Sequence, residues 1–132
     1  MARRIQVISI CRPRIRQGNT VQKPELLRRA THASGLVQGT IDMVISELRD
    51  QIIEITRSGR PVKIEGLGTW TSNIGLDGSL DLQYRADTAL VNALNVPGTF
   101  TGSIRNRPNI GKSGDELVEL WNLEHPEDPV TE

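Results

Sequence analysis

The chain has 132 residues, with 16 Lys+Arg against 16 Asp+Glu and a formal net charge of zero. That length bounds the answer to a single domain with a core of its own; 36% apolar and 24% charged residues exclude a disordered chain, and one cysteine excludes an internal disulfide. The neutral average hides a gradient: residues 1–30 carry eight bases and one acid, residues 31–112 balance, and residues 113–132 carry seven acids and no Lys or Arg.

In chain order, Ile5-Gln6-Val7-Ile8-Ser9-Ile10-Cys11 is apolar and β-branched, which predicts a strand over residues 4–11. Arg12-Pro13 closes it, and Arg16 to Thr20 reads as a loop. Pro24-Glu25 suits the first turn of a helix, since proline needs no amide partner there and the acid suits the dipole. Leu26, Leu27, Ala30 and Ala33 form its apolar stripe, and Gly35 stops it. Val37, Ile41, Val44, Ile45, Leu48 and Ile52 then repeat with a helical period, which predicts a long amphipathic helix ending at Ser58-Gly59.

From Val62 the period changes to two. Val62 and Ile64 precede a Gly66-Leu67-Gly68 break, and residues 69–84 read as a hairpin closed by Gly75-Leu76-Asp77-Gly78. Asp87 is placed to cap a short helix from Thr88 to Leu94, and Thr99 to Ile104 reads as a further strand. Ser113-Gly114-Asp115-Glu116 is a capping box that opens an acidic helix, and His125 to Pro129 ends it as a loose tail.

Several chemistries find no support. His32, His125 and Cys11 have no metal-ligand spacing. Ile110-Gly111-Lys112-Ser113 lacks the first glycine and the preceding strand of a P-loop, and Gly66-Leu67-Gly68 lacks the third glycine and following helix of a dinucleotide fingerprint. Cys11 reads as a structural thiol, and no carboxylates stand in an acid–base arrangement, so no enzyme, catalytic residue, cofactor or metal is expected. The apolar run 5–11 is too short to span a bilayer and lacks a cleavage site, so the expectation is a cytoplasmic protein with no membrane partner and no small-molecule substrate.

The order helix, helix, strand, Gly-Leu-Gly-Thr-Trp, hairpin, short helix over residues 21–95 resembles the bacterial histone-like HU and integration host factor family. Lys23-Pro24-Glu25-Leu26 resembles that family's opening helix, Gly35-Leu36 its interhelical turn, and Val62 to Trp70 its strand and Gly-Phe-Gly-Thr-Phe signature. Leu82-Gln83-Tyr84-Arg85 resembles its later strand. The resemblance implies an α+β fold, with a helical hairpin over a small antiparallel sheet, in an intertwined dimer that binds duplex DNA in the minor groove. The family's long basic β-arm, with its intercalating proline, is replaced here by the four residues Gly75 to Gly78. Its Pro-Gly-Lys before the last helix is replaced by Ala86-Asp87-Thr88, so the layout is similar to an armless HU-like branch with extra N- and C-terminal strands.

On this reading, residues 1–20 are a basic strand and loop, 21–105 the HU-like domain, and 106–132 an acidic helix and tail. Arg12, Arg14 and Arg16 alternate, and in extended chain they would track phosphates together with Lys23, Arg28 and Arg29 on the first helix. Lys63 and Arg85 lie in the matched strands, and Gly66 and Gly68 would let backbone amides approach a phosphate. The dimer core would comprise Val37, Ile41, Val44, Ile45, Leu48 and Ile52, with Trp70. The expected partners are duplex DNA, bound without sequence preference and with little bending, and a second copy of the chain. The alternative is an assembly module that keeps the HU-like dimer and has dropped DNA, its basic start meeting the acidic end of another copy.

Overall fold

The computed structural model describes residues 2–130, in an α+β architecture of five α-helices and two small antiparallel sheets. The chain divides into two compact units: residues 20–100 form one, and the two terminal segments, up to residue 19 and from residue 101, together form the other.

The terminal unit contains the main correction to the sequence reading. Residues 4–11 are a helix, α1 (Arg4–Cys11), not a strand. Their β-branched content favours a strand only as a local preference. Tertiary packing overrides it here: Val7, 1% exposed, is buried, as is Leu117 of α5 (Gly114–Glu124), and the two helices pack together. Gly114 permits the close approach, since a Cβ there would lie 3.1 Å from the Ile8 side chain. The last carbonyls of α1 would otherwise be orphaned. Asn106, itself left-handed at φ 57°, donates from Nδ2 to the Ile10 and Arg12 oxygens, and Asn109 donates to the Cys11 oxygen at 2.7 Å.

The N-terminal strand comes later than expected, as β1 (Arg14–Arg16), and it pairs antiparallel with β5 (Ser103–Arg105), the C-terminal strand. Helix α5 opens as expected, with Ser113 Oγ accepting from the Glu116 amide. Residues 125–130 do not trail away. They fold back on α5: Trp121 Nε1 donates to the Asp128 carbonyl at 2.8 Å, the Val130 amide donates to Asn122 Oδ1 at 2.7 Å, and His125 stacks on the Trp121 ring.

The central unit follows the sequence closely. Helix α2 (Lys23–Ser34) ends on left-handed Gly35 and α3 (Gln38–Arg57) follows. Strands β2 (Val62–Ile64), β3 (Gly68–Ile74) and β4 (Leu80–Ala86) form an antiparallel sheet in that order, and α4 (Thr88–Leu94) closes the unit. The β3–β4 turn is tight, with the Gly75 amide donating to the Ser79 carbonyl at 2.8 Å. At the β2–β3 junction, Gly68 has φ 154°, and a Cβ there would collide with the Arg85 carbonyl oxygen and the Tyr84 ring. Gly68→Ala is therefore expected to cost on the order of 2–4 kcal/mol of stability, measured by urea unfolding. An unchanged midpoint would refute this role.

Candidate nucleic-acid interface

The central sheet separates its residues by face, as strand alternation requires. One register row runs Val62–Trp70–Tyr84 across the three strands, and the next runs Lys63–Thr69–Arg85. The first row belongs to the apolar face. Trp70 and Tyr84 have ring centroids 5.1 Å apart, and the Tyr84 hydroxyl donates to the Leu67 carbonyl. The second row places Lys63 and Arg85 on one polar face, on either side of Thr69. The sheet thus brings together two bases that lie 22 residues apart in the chain.

The two glycines expected to open backbone amides to a phosphate do other work. The Gly66 amide donates to Asp87 Oδ2 at 3.2 Å, and Gly68 makes room for Tyr84. Asp87 therefore holds two elements at once, since its other oxygen caps α4 by accepting from the Ala89 amide at 2.8 Å. These amides, first Ala89 and then Gly66, with the Lys63 charge, hold the Asp87 carboxyl below the usual carboxylate range. A carboxyl depressed in the folded state stabilises the fold above its ordinary value, and the contribution is lost as pH falls through the folded value. Asp87→Ala is expected to lower the thermal midpoint most at neutral pH, with the difference from the parent narrowing as pH falls below the ordinary carboxylate range. A difference independent of pH would contradict that origin.

On α2 the bases differ from one another. Lys23 pairs with Asp42 of α3 at 2.5 Å, and Arg29 lies 3.6 Å from Glu25 one turn away. Arg28 is exposed and has no carboxylate partner among the described residues.

In the terminal unit, Arg12 is the C-cap of α1, so it does not continue a strand with Arg14 and Arg16. There a positive charge faces the negative end of the helix dipole. Arg14 and Arg16 share one face of β1. The ladder sets Arg14 directly opposite Arg105 and Arg16 opposite Ser103, while Ile15 and Ile104 share the other face. Sequence reading missed Arg105, because only the ladder brings it to Arg14, 91 residues away. Among the described residues, none of Arg14, Arg16 and Arg105 is ion-paired; the acids of α5 contribute one pair, Asp115 with Arg4 of α1.

The apolar face of α3 is incompletely covered. Ile45, Leu48, Ile52, Leu67, Trp70 and Leu82 line a groove of about 360 Å³ between α3 and the sheet. Leu48 is 41% exposed; Val44 is also exposed, and Val37, the N-cap of α3, is 72% exposed. Ile41, Ile45 and Ile52 are half-buried. In this unit Leu27, 5% exposed, is the one buried large apolar side chain among the described residues.

Among the described residues, no group of three His, Cys, Asp or Glu is arranged to hold a metal, and no helix is long and apolar enough to cross a membrane. Cys11 is half-buried, and desolvation, with the Glu124 charge, pushes its thiol up, away from the reactive thiolate. No family model and no curated protein matches the chain.

Proposed function

We propose that the protein binds duplex DNA without sequence preference, through phosphate contacts, as a homodimer of HU-like subunits, with little wedging or bending. The observation that carries this reading is the two-stranded ribbon on which Arg14, Arg16 and Arg105 share one face, with no carboxylate among the described residues to neutralise them. Like charges placed directly across a ladder oppose strand pairing, so keeping them there is best explained by an anionic partner. The Lys63–Thr69–Arg85 row and exposed Arg28 offer further cations on the central unit. Guanidinium groups suit phosphate oxygens, and such contacts position a duplex without reading its bases.

The HU-like reading is supported by the element order of residues 23–94: two helices, a three-stranded sheet and a short helix. The dimer is supported by the groove beside α3, because an amphipathic helix needs a second layer over its apolar face. Weak bending follows from the β3–β4 turn, which is short and whose one charged residue, Asp77, is negative. Its carboxyl is held low by Ser79, so it stays ionised and would repel phosphate. The proposed setting is the nucleoid, and no catalytic role is proposed.

The test is fluorescence anisotropy of two unrelated labelled duplexes with the full chain at low salt. Similar saturable binding of both is expected. Absence of binding to either would overturn the reading, and a strong preference for one would overturn its sequence independence.

A second reading keeps the dimer and drops the DNA. It is favoured by Lys23 and Arg29, two of the expected contacts, which already lie against carboxylates. Self-association with no duplex binding in the same experiment would select it.

A further inference from the structure

Beside the arginine ribbon lies a cleft of about 220 Å³, lined by Ser9, Ile10, Arg14, Arg105 and Asn106. It is assembled from both terminal segments. Arg14 is held in place: its Nη2 donates to Ser9 Oγ at 2.7 Å. The serine oxygen is the acceptor in that bond, so its own hydroxyl proton is available to a further acceptor. Arg105 is fixed opposite Arg14 by the ladder. Asn106, left-handed and tied to the Ile10 and Arg12 carbonyls, locks the turn that follows Arg105 onto the end of α1. Two arginines and a serine hydroxyl thus line a small cleft whose backbone is braced, and neither arginine has a carboxylate within ion-pair distance among the described residues.

We infer that this cleft, formed by Ser9, Arg14, Arg105 and Asn106, binds a single phosphate group. A tetrahedral oxyanion offers several acceptor oxygens to two forked donors and a hydroxyl, and these charge-assisted bonds are the strong ones. The cleft also has room for such a group with water, since one water occupies about 30 Å³. Binding would relieve the repulsion between the two opposed arginines. The DNA reading enters only as one source of the ligand: a duplex backbone supplies the phosphate as a diester, and solution supplies it as inorganic phosphate.

The test is a titration of the full chain with inorganic phosphate, followed by amide and side-chain NMR shifts, against sodium chloride at matched ionic strength. Saturable shifts at Ser9, Arg14, Arg105 and Asn106 in phosphate, absent in chloride, are expected. Arg105→Glu places a carboxylate opposite Arg14 and is expected to weaken phosphate binding about tenfold or more, through the loss of one charge-assisted contact. Ser9→Ala, a milder change, is expected to weaken it several-fold with an unchanged circular dichroism spectrum. Equal shifts in chloride, or parental affinity in both variants, would overturn the site. A second arm adds a short duplex. Shifts at the same four residues assign the phosphate to the backbone. Phosphate binding without any duplex binding keeps the cleft and overturns the DNA reading. Duplex binding with no phosphate effect on these residues does the reverse.

Discussion

Replacing Arg14, Arg16 and Arg105 together with alanine is expected to weaken duplex binding about a hundredfold at low salt and to flatten its salt dependence. The magnitude follows from counting phosphates. Each phosphate neutralised contributes about 0.9 to the slope of log affinity against log salt, so three lost contacts remove roughly 2 to 3 units of slope. The three side chains share one face of the β1–β5 ribbon and are exposed, so their removal leaves the buried Val7 and Leu117 untouched. Loss of the Arg14–Arg105 opposition should, if anything, favour the ladder. A parental thermal midpoint together with the affinity loss would identify a contact effect rather than unfolding. Parental affinity in the triple variant would remove the ribbon from the interface.

Leu48→Asp is expected to convert the proposed dimer to monomer across the accessible concentration range. Leu48 lies on the apolar face of α3 beside Ile45, Ile52 and Trp70, and it remains 41% exposed within one chain. A carboxylate there keeps its hydration in the monomer, but a second subunit laid over the groove would bury it without a partner. That penalty is several kcal/mol, which weakens association about a thousandfold or more. Sedimentation equilibrium of parent and variant checks it. A parent that is monomeric at every concentration, or a variant that associates equally well, would contradict the proposed dimer face. If the duplex lies across both subunits, the variant should also bind DNA more weakly.

The parts of the fold that were legible from sequence are those specified locally. The helical period from Val37 to Ile52, the left-handed stop at Gly35, and the caps Asp87 and Ser113 each depend on neighbours within a few residues. The errors fall where distant residues decide. A β-branched run at 4–11 becomes a helix because α5, more than a hundred residues away, packs on it, and Val7 of that run is buried. Local preference puts the strand in the apolar run, yet it forms in Arg14–Arg16, whose pairing partner is β5. Arg105 could not be placed beside Arg14 without that ladder. The sequence marks Gly66 as a break in the strand pattern and as an amide open to a phosphate, but not as the residue whose amide Asp87 occupies.

The charge gradient is also recast by the fold. Five of the eight bases among the first 30 residues (Arg3, Arg4, Arg12, Arg14 and Arg16) lie in the same terminal unit as the acidic end, where α5 packs on α1 and Asp115 pairs with Arg4, while Lys23, Arg28 and Arg29 lie in the central unit. The acidic segment is therefore a structural helix: deleting residues 113–132 would remove Leu117, buried like Val7 where α5 packs on α1, and would not isolate an electrostatic effect. The zero net charge says little about partners, since what governs an encounter is the local field around unpaired cations.

The most direct measurement is the affinity of the full chain for a duplex across a series of sodium chloride concentrations. The account predicts a linear fall of log affinity with log salt, with a slope of roughly −3 or steeper, as three or more phosphate contacts require. Binding insensitive to salt, or no duplex binding at the lowest salt, would contradict it.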